Sequence, residues 1–419
     1  MNLAVISVAA LAIAVIISCF TTVNVGVLAI GLAWIVGVYI GHLPLSAVIA
    51  GFPTPLFLTL TGVTLLFTLA QCNGTLDKLA HHAVRACRGN QGVVPIMFFV
   101  LAASLASIGP GNIATAALLA PMAMTTASRS GIPLFLMAIM VGNGSNAGSL
   151  SPFAPTGIIV NGLMARMGMD GFQLQTYLAN LLAHAAVAFG GYFIFGGWKL
   201  FQAHAAARAD KGRIPVAVVS AADRAFDMRQ WTTLAVIAAL IIGAIFFNLN
   251  VGFGAFVGSG LLVLSGCADD GEAIRRMPWR VILMVTGVTV LIAILEKAQG
   301  IDLLVSMVAK VSTPNTVTGV VAFIVGLISV YSSTSGVVLP AFLPMVPGLA
   351  HQLGVVNALG IANAMNVGGH LVDVSPLSTI GALCLAGASV EDSRPLFNKL
   401  LAWGLSMSVV GALLCWAAF

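Results

Sequence analysis

A short phrase that occurs twice constrains this chain more than any other feature. TGVTLL at residues 61–66 returns as TGVTVL at 286–291, an offset of 225. NVG at 24–26 returns at 250–252, and Gly74 has Gly300 as its mate, both at an offset of 226. SP-x4-G at 151–157 returns at 375–381, an offset of 224. One such match carries little, but four in the same order at nearly one offset are the signature of a duplicated unit. The chain therefore reads as two copies of one structural half.

What each half contains follows from the apolar runs. They fall near 3–20, 25–41, 55–72, 93–127, 132–164, 174–198, 231–247, 251–266, 279–296, 315–350, 355–388 and 398–418. With 59% hydrophobic and 7% charged residues, a soluble core could not absorb them, so the chain is polytopic in a membrane. The first run has no basic segment ahead of it and no small-residue cleavage site behind it, which makes it a membrane helix and not a signal peptide. Runs 93–127 and 315–350 are too long for one helix and have polar, glycine-containing breaks at their centres. They read as re-entrant hairpins, since broken backbone at membrane depth must line a cavity or be packed in protein. Ten crossings and two hairpins remain. Five crossings per half is an odd number, so the halves are inverted.

Charge tests that topology. If the loop 199–230 is cytoplasmic, all of the 18 Lys and Arg fall on that side except Arg166, Lys297 and Lys310. This is the positive-inside bias, and it puts both termini outside. The net charge of +5 thus reflects membrane topology and not nucleic-acid binding. Amphipathic segments at 75–89 and 301–310 (Leu76, Leu79, Ala83; Leu304, Val308, Val311) read as helices lying in the two interface planes. The six cysteines are scattered, without metal-ligand spacing, and read as buried thiols. No HExxH, GxSxG or P-loop is present, and Ser375, His370 and Asp373 are too close in sequence to form a catalytic relay. The chain reads as a non-enzyme.

Four polar breaks hold the candidate chemistry. The hairpin tips are IGPGNIATA at 108–116 and YSSTSG at 331–336, the second expected to lead into a helix at Val337. Each tip precedes a helix N-terminus, where unpaired N–H groups and the helix dipole favour an anion. The other two breaks are GNGSNAGSLSPFAPTG at 142–157 and NVGGHLVDVSPLSTIG at 366–381, with Ser149 opposite Asp373. Unwound backbone beside Asn and Ser oxygens suits a hard cation. The anion-binding set is therefore Gly111, Asn112, Ile113, Ser151 and Thr156, with Ser333, Thr334, Ser335, Ser375, Ser378 and Thr379 from the second half. The cation set is Asn112, Asn146, Gly148 and Ser149, with Ser332, Asn366, Gly369 and Asp373. An ionisable group at membrane depth costs about 2.5–3.5 kcal/mol, which marks Asp373 as a group for coupling to Na+ or H+. His370, three residues earlier, would share its helix face and is the second coupling candidate, or simply a structural partner.

In these motifs the sequence resembles the ion transporter superfamily, and within it the divalent anion/sodium symporters and the MatC-type dicarboxylate (malonate) carriers. Family tips carry Ser-Asn-Thr followed by a small-residue helix closed by proline. Here the tips read Gly111-Asn112-Ile113, with Pro121 beyond, and Ser332-Ser333-Thr334-Ser335, with Pro340 and Pro344 beyond. Asp373 stands where many sodium-coupled members have only backbone and hydroxyl ligands. The fold class expected is an all-α polytopic membrane protein of two inverted repeats, 1–200 and 231–419. Each repeat has five transmembrane helices and a re-entrant hairpin. The resemblance implies an elevator carrier with a scaffold over 3–72 and 231–296, a transport unit over 93–164 and 315–388, and hinge arms at 75–89 and 301–310. It also implies a homodimer in the bacterial inner membrane. The expected function is cation-coupled symport of malonate, succinate or another small dicarboxylate. The alternatives are an ion antiporter or an oxyanion/arsenite-type carrier of the same superfamily, then a channel or an intramembrane enzyme.

Overall fold

A computed structural model describes residues 2–21, 23–85, 91–201, 225–388 and 393–419. All regular structure among them is helical. The first half holds α1 (Leu3–Phe20), α2 (Val25–Trp34, extended as a π-helix over Ile35–Ile40), α3 (Leu45–Ile49), α4 (Thr54–Cys72) and α5 (Thr75–Arg85). It continues with α6 (Val93–Ile108), α7 (Gly111–Arg129), α8 (Leu134–Ala147), α9 (Pro155–Arg166) and α10 (Gln173–Ile194). The second half holds α11 (Met228–Phe247), α12 (Val251–Leu264), α13 (Asp270–Arg276), α14 (Trp279–Lys297) and α15 (Gly300–Lys310). Then come α16 (Val317–Ser329), the mixed helix α17 (Thr334–Leu353), α18 (Ala358–Leu371), α19 (Thr379–Gly387) and α20 (Arg394–Ala418). Most of the linker, with Arg208, Lys211, Arg213 and Arg224, lies outside the described residues, as do Cys87, Arg88 and Gly89.

Seven of these helical segments are long and apolar enough to cross a membrane, and six more are apolar but shorter. The chain is a multi-pass membrane protein by that measure. Large apolar side chains cover its outside as well as its core: Phe246, Phe247 and Leu264 are all exposed. That arrangement is stable only where the surroundings are themselves apolar.

The repeated phrases meet one another. A Cβ on Gly26 would overlap the Leu283 carbonyl and Met284 Cα, and one on Gly287 would overlap the Gly26 carbonyl. In the matching place, a Cβ on Gly252 would strike Thr59 Cα, and one on Gly62 the Gly252 carbonyl. NVG of each half is thus packed backbone to backbone on TGVT of the other, which joins α2 to α14 and α12 to α4. Small residues allow such close approach where apolar burial gives no drive between helices. Each asparagine of the phrase also caps its helix: Asn24 accepts from Gly26 N at 2.9 Å and Asn250 from Phe253 N at 3.1 Å.

A second pair of contacts builds the hairpin region. Gly144 of α8 lies on the backbone of Phe99 in α6, and Gly368 of α18 lies on the backbone of Ala322 in α16. Gly144 and Gly368 are again 224 apart. α10 packs on α8, and α20 on both α16 and α18. Two polar side chains of α10 reach α8: Asn180 Nδ2 donates to the Asn146 carbonyl at 2.8 Å, and His184 Nδ1 lies 2.9 Å from Asn143 Oδ1.

Loops that the charge pattern assigns to one face touch each other. Asn73 Nδ2 donates to Thr233 Oγ1 at 2.8 Å, Lys78 Nζ to Gln230 Oε1 at 2.8 Å, and Asn24 Nδ2 to the Arg280 carbonyl at 3.0 Å. Three sequence expectations need correction. The left-handed residue that follows α14 is Gln299 (φ 57°), matching Gly74 (φ 74°) at an offset of 225, so Gly300 is not the conformational mate of Gly74. Gly300 is there because a Cβ would crowd Ser7 and Leu295. Val311 lies past the end of α15 and is exposed, so it is not on that helix's packed face. The helix after the second tip begins at Thr334, three residues earlier than Val337, because Ser333 accepts from Gly336 N at 3.2 Å and caps it.

Candidate functional site

Both hairpin tips end at one cavity of about 460 Å³. The first tip contributes Asn112 and Ile113, and the second contributes Ser332, Ser333, Thr334 and Ser335. Asp373, Ser378 and Thr379 line it from the second helix break. Thr21, Val23, Val25, Arg280 and Met284 close the opposite wall. A smaller cavity of about 260 Å³ lies on the other side of the first tip, lined by Gly111, Asn112, Ile113, Thr156 and Ser335 among others. Asn112, Ile113 and Ser335 belong to both cavities and form the partition between them.

The first tip is made by backbone that only glycine tolerates. Gly109 has φ 153° and Gly111 φ 79°, and Pro110 between them starts α7 without a side-chain cap. Among its first N–H groups, that of Ile113 donates to Asn112 Oδ1 at 3.0 Å. Asn112 Nδ2 donates to Asn146 Oδ1 at 2.9 Å, which ties the tip to α8. The second tip is tied to its own broken helix in the corresponding way. Thr334 Oγ1 lies 2.9 Å from Asp373 Oδ1 and 3.2 Å from the Gly369 carbonyl.

That geometry has a chemical consequence. Thr334 has one hydroxyl proton for two acceptors. With Asp373 ionised, the carboxylate takes it and the Gly369 carbonyl loses the bond from Thr334. With Asp373 protonated, the acid donates to Thr334 and Thr334 donates to Gly369, so every contact is satisfied. A cation bound at the carboxylate neutralises the same charge in another way.

The remaining predicted residues divide into framework and buried polar groups. Ser151 Oγ donates to the Ser107 carbonyl at 2.6 Å and accepts from Phe153 N at 3.3 Å; Ser375 Oγ accepts from Leu377 N at 3.3 Å. Neither lines either of the two cavities described above. Gly157 and Gly381 are held by the same restraint, since a Cβ on either would overlap the carbonyl of Ser151 or of Ser375. Ser149 is fully buried and donates to the Asn146 carbonyl at 2.7 Å, and Gly148 is packed on the Ala103 carbonyl. Asn146 Nδ2 donates to the His370 carbonyl at 3.3 Å. Asn366 is buried with both amide atoms unpartnered among the described residues.

His370 does not meet Asp373. Its Nδ1 lies 2.8 Å from the Asn366 carbonyl, and its ring is fully buried, drawn back along α18. Asp373 lies beyond the end of α18, in the break itself, and turns to the tip. The shared face expected from their spacing needed an unbroken helix, and the helix ends between them. Sequence reasoning also missed Asn143, Asn180 and His184, because a polar residue in a long apolar run has no periodic signal to mark it. It counted Arg280 only as a loop charge.

Residues 1–149 match the family model of the dicarboxylate carrier protein MatC N-terminus. The amino-terminal third of the chain is MatC-like. This MatC-like part ends just past α8, so it includes the first tip but neither Arg280 nor Asp373. No curated protein sequence matches the chain. Among solved structures, the crystal structure of the Alcanivorax borkumensis YdaH transporter superposes with a TM-score of 0.58 at 16% identity, covering 89% of this chain and 87% of that one. At that identity the likeness is one of fold. Together the two findings support a transporter.

Proposed function

We propose that this protein is a secondary active carrier that couples uptake of a small dicarboxylate, such as malonate or succinate, to Na+ or H+. The observation that carries the reading is the cavity where the two tips meet. It joins two helix N-termini and a row of hydroxyls, which suit carboxylates, to a single acidic side chain, Asp373. The MatC-like amino-terminal part supports a dicarboxylate as cargo.

The electrostatics support coupling. A carboxylate about 5 Å from ionised Asp373, at an effective dielectric of about 20, is repelled by roughly 3 kcal/mol. That is a factor of about 100 or more in affinity. The dianion therefore binds well only when a proton or cation has neutralised Asp373.

The packing supports a division into a fixed and a moving part. The α2–α14 and α12–α4 crossings form the scaffold, and the hairpins with α8–α10 and α18–α20 form the unit that moves against it. The two halves are inverted repeats, and the carrier works as an elevator. α5 and α15 are the hinge arms. The membrane is the bacterial inner membrane with both termini outside, and the carrier is a homodimer. Uptake of labelled malonate, succinate and citrate into proteoliposomes, with Na+ and pH gradients imposed separately, tests the core of this. Saturable diacid uptake driven by one of them is expected; none under either gradient would overturn the reading.

A further inference from the structure

The scaffold side of the cavity has a group that the carrier reading does not use. Among the described lining residues, Arg280 is the cation and Asp373 the anion. We propose that Arg280 binds one carboxylate of the dicarboxylate from the scaffold, in the facing state seen here and not in the opposite one. The proposal rests on the carrier reading and deepens it.

Placement is the first support. Arg280 stands in the first turn of α14, and Met284, four residues on and hence on the same face, lines the same cavity. The Met284 sulfur lies against Gly336 at the second tip and would have to shift to admit a Cβ there. Arg280 is thus one turn, about 6 Å, from a direct contact between scaffold and tip. Its long side chain spans that distance, and its planar fork suits a carboxylate.

Mounting is the second. Asn24 Nδ2 holds the Arg280 carbonyl at 3.0 Å, and the Gly26 contact with Leu283 and Met284 locks the next turn. The third support is asymmetry. The position 225 residues before Arg280 is Pro55, just as Ser149 stands opposite Asp373. The second half alone supplies both charges of this cavity, one from each side of the moving boundary. When the tips and Asp373 move as an elevator, Arg280 remains with the scaffold, so its contact is made on one face of the membrane only.

The plain alternative is a rim charge that belongs to the positive-inside belt. Such a charge attracts any anion, and the attraction fades in salt because the screening length is about 10 Å at 0.1 M. KM for malonate and for a monocarboxylate of similar size is measured in right-side-out and inverted vesicles, for the wild type, Arg280→Gln and Arg280→Lys, with choline chloride as the added salt. Loss of one charge-assisted contact raises KM for malonate about 10-fold or more. The rise is expected on the face toward which this cavity opens, with monocarboxylate KM and the opposite face unchanged, and it persists at high salt. Arg280→Lys restores part of the affinity. An unchanged malonate KM in Arg280→Gln, an equal change on both faces or for both anions, or an effect erased by salt each overturns the proposal while leaving the carrier reading intact. A wild type without saturable diacid uptake overturns both.

Discussion

The breaks after α8 and α18 are built on the same turn yet differ at its centre. In both, a serine oxygen accepts from the N–H two residues on, and a glycine is forced against that serine's carbonyl. In the first break, Gly157 N donates directly to the Ser149 carbonyl at 3.0 Å. In the second, the Ser378 hydroxyl stands between the corresponding groups: Gly381 N donates to it at 3.4 Å, and it donates to the Asp373 carbonyl. Ser149 is sealed, whereas Asp373 looks into the cavity. One break is a joint, and the other is a joint with a charge and a hydroxyl added. The same framework can thus be kept for rigidity in one half and adapted for chemistry in the other.

The largest effect should separate the two at their centres. Asp373→Asn removes the charge that repels a dianion, a difference of about 3 kcal/mol. Substrate binding should then lose its dependence on the coupling cation, and gradient-driven accumulation should fall about 100-fold or more. Ser149→Ala, its counterpart, should leave coupling unaltered. Flux measured against an imposed gradient decides this, and full coupled transport by Asp373→Asn would make the two breaks equivalent after all.

Next comes the tether of each tip. Thr334→Val removes the hydroxyl beside Asp373, a charge-assisted bond of about 1.5–3 kcal/mol. The cation concentration for half-maximal uptake should shift about 10-fold, since the carboxylate loses its partner. Asn112→Leu cuts the equivalent tie to Asn146 but touches no charge, so it should change substrate KM without shifting the cation titration. Equal shifts in the two variants would mean that the tips share the coupling role.

How far the sequence alone reached depends on what each signal measures. The repeated phrases were visible because close backbone packing at Gly26, Gly62, Gly252 and Gly287 tolerates few residue types. The breaks were visible because glycine, proline and charge interrupt an apolar run. The pairing of Gly144 with Gly368 was not, since glycine pairs are common in a chain with 45 of them. Nor was the separation of His370 from Asp373, which depends on the helix ending at Leu371. Arg280 looked like a loop charge because only the crossing of α2 on α14 turns its face to the tips.

The smallest effect tests the added hydroxyl. Ser378 caps α19, whereas Ala154, its counterpart, gives α9 no side-chain cap. Removing a cap ordinarily costs about 1 kcal/mol. In Ser378→Ala, however, the Gly381 N–H has another acceptor available, the Asp373 carbonyl, by the route that Gly157 already takes to Ser149. If the two breaks are the same turn, the second relaxes to the geometry of the first and the cost falls below a few tenths of a kcal/mol, well under an ordinary cap. Thermal unfolding of the purified protein in detergent reads the difference. A loss of the full cap value or more would show that the second break cannot adopt the first one's geometry. The hydroxyl would then be required to hold Asp373 toward the cavity.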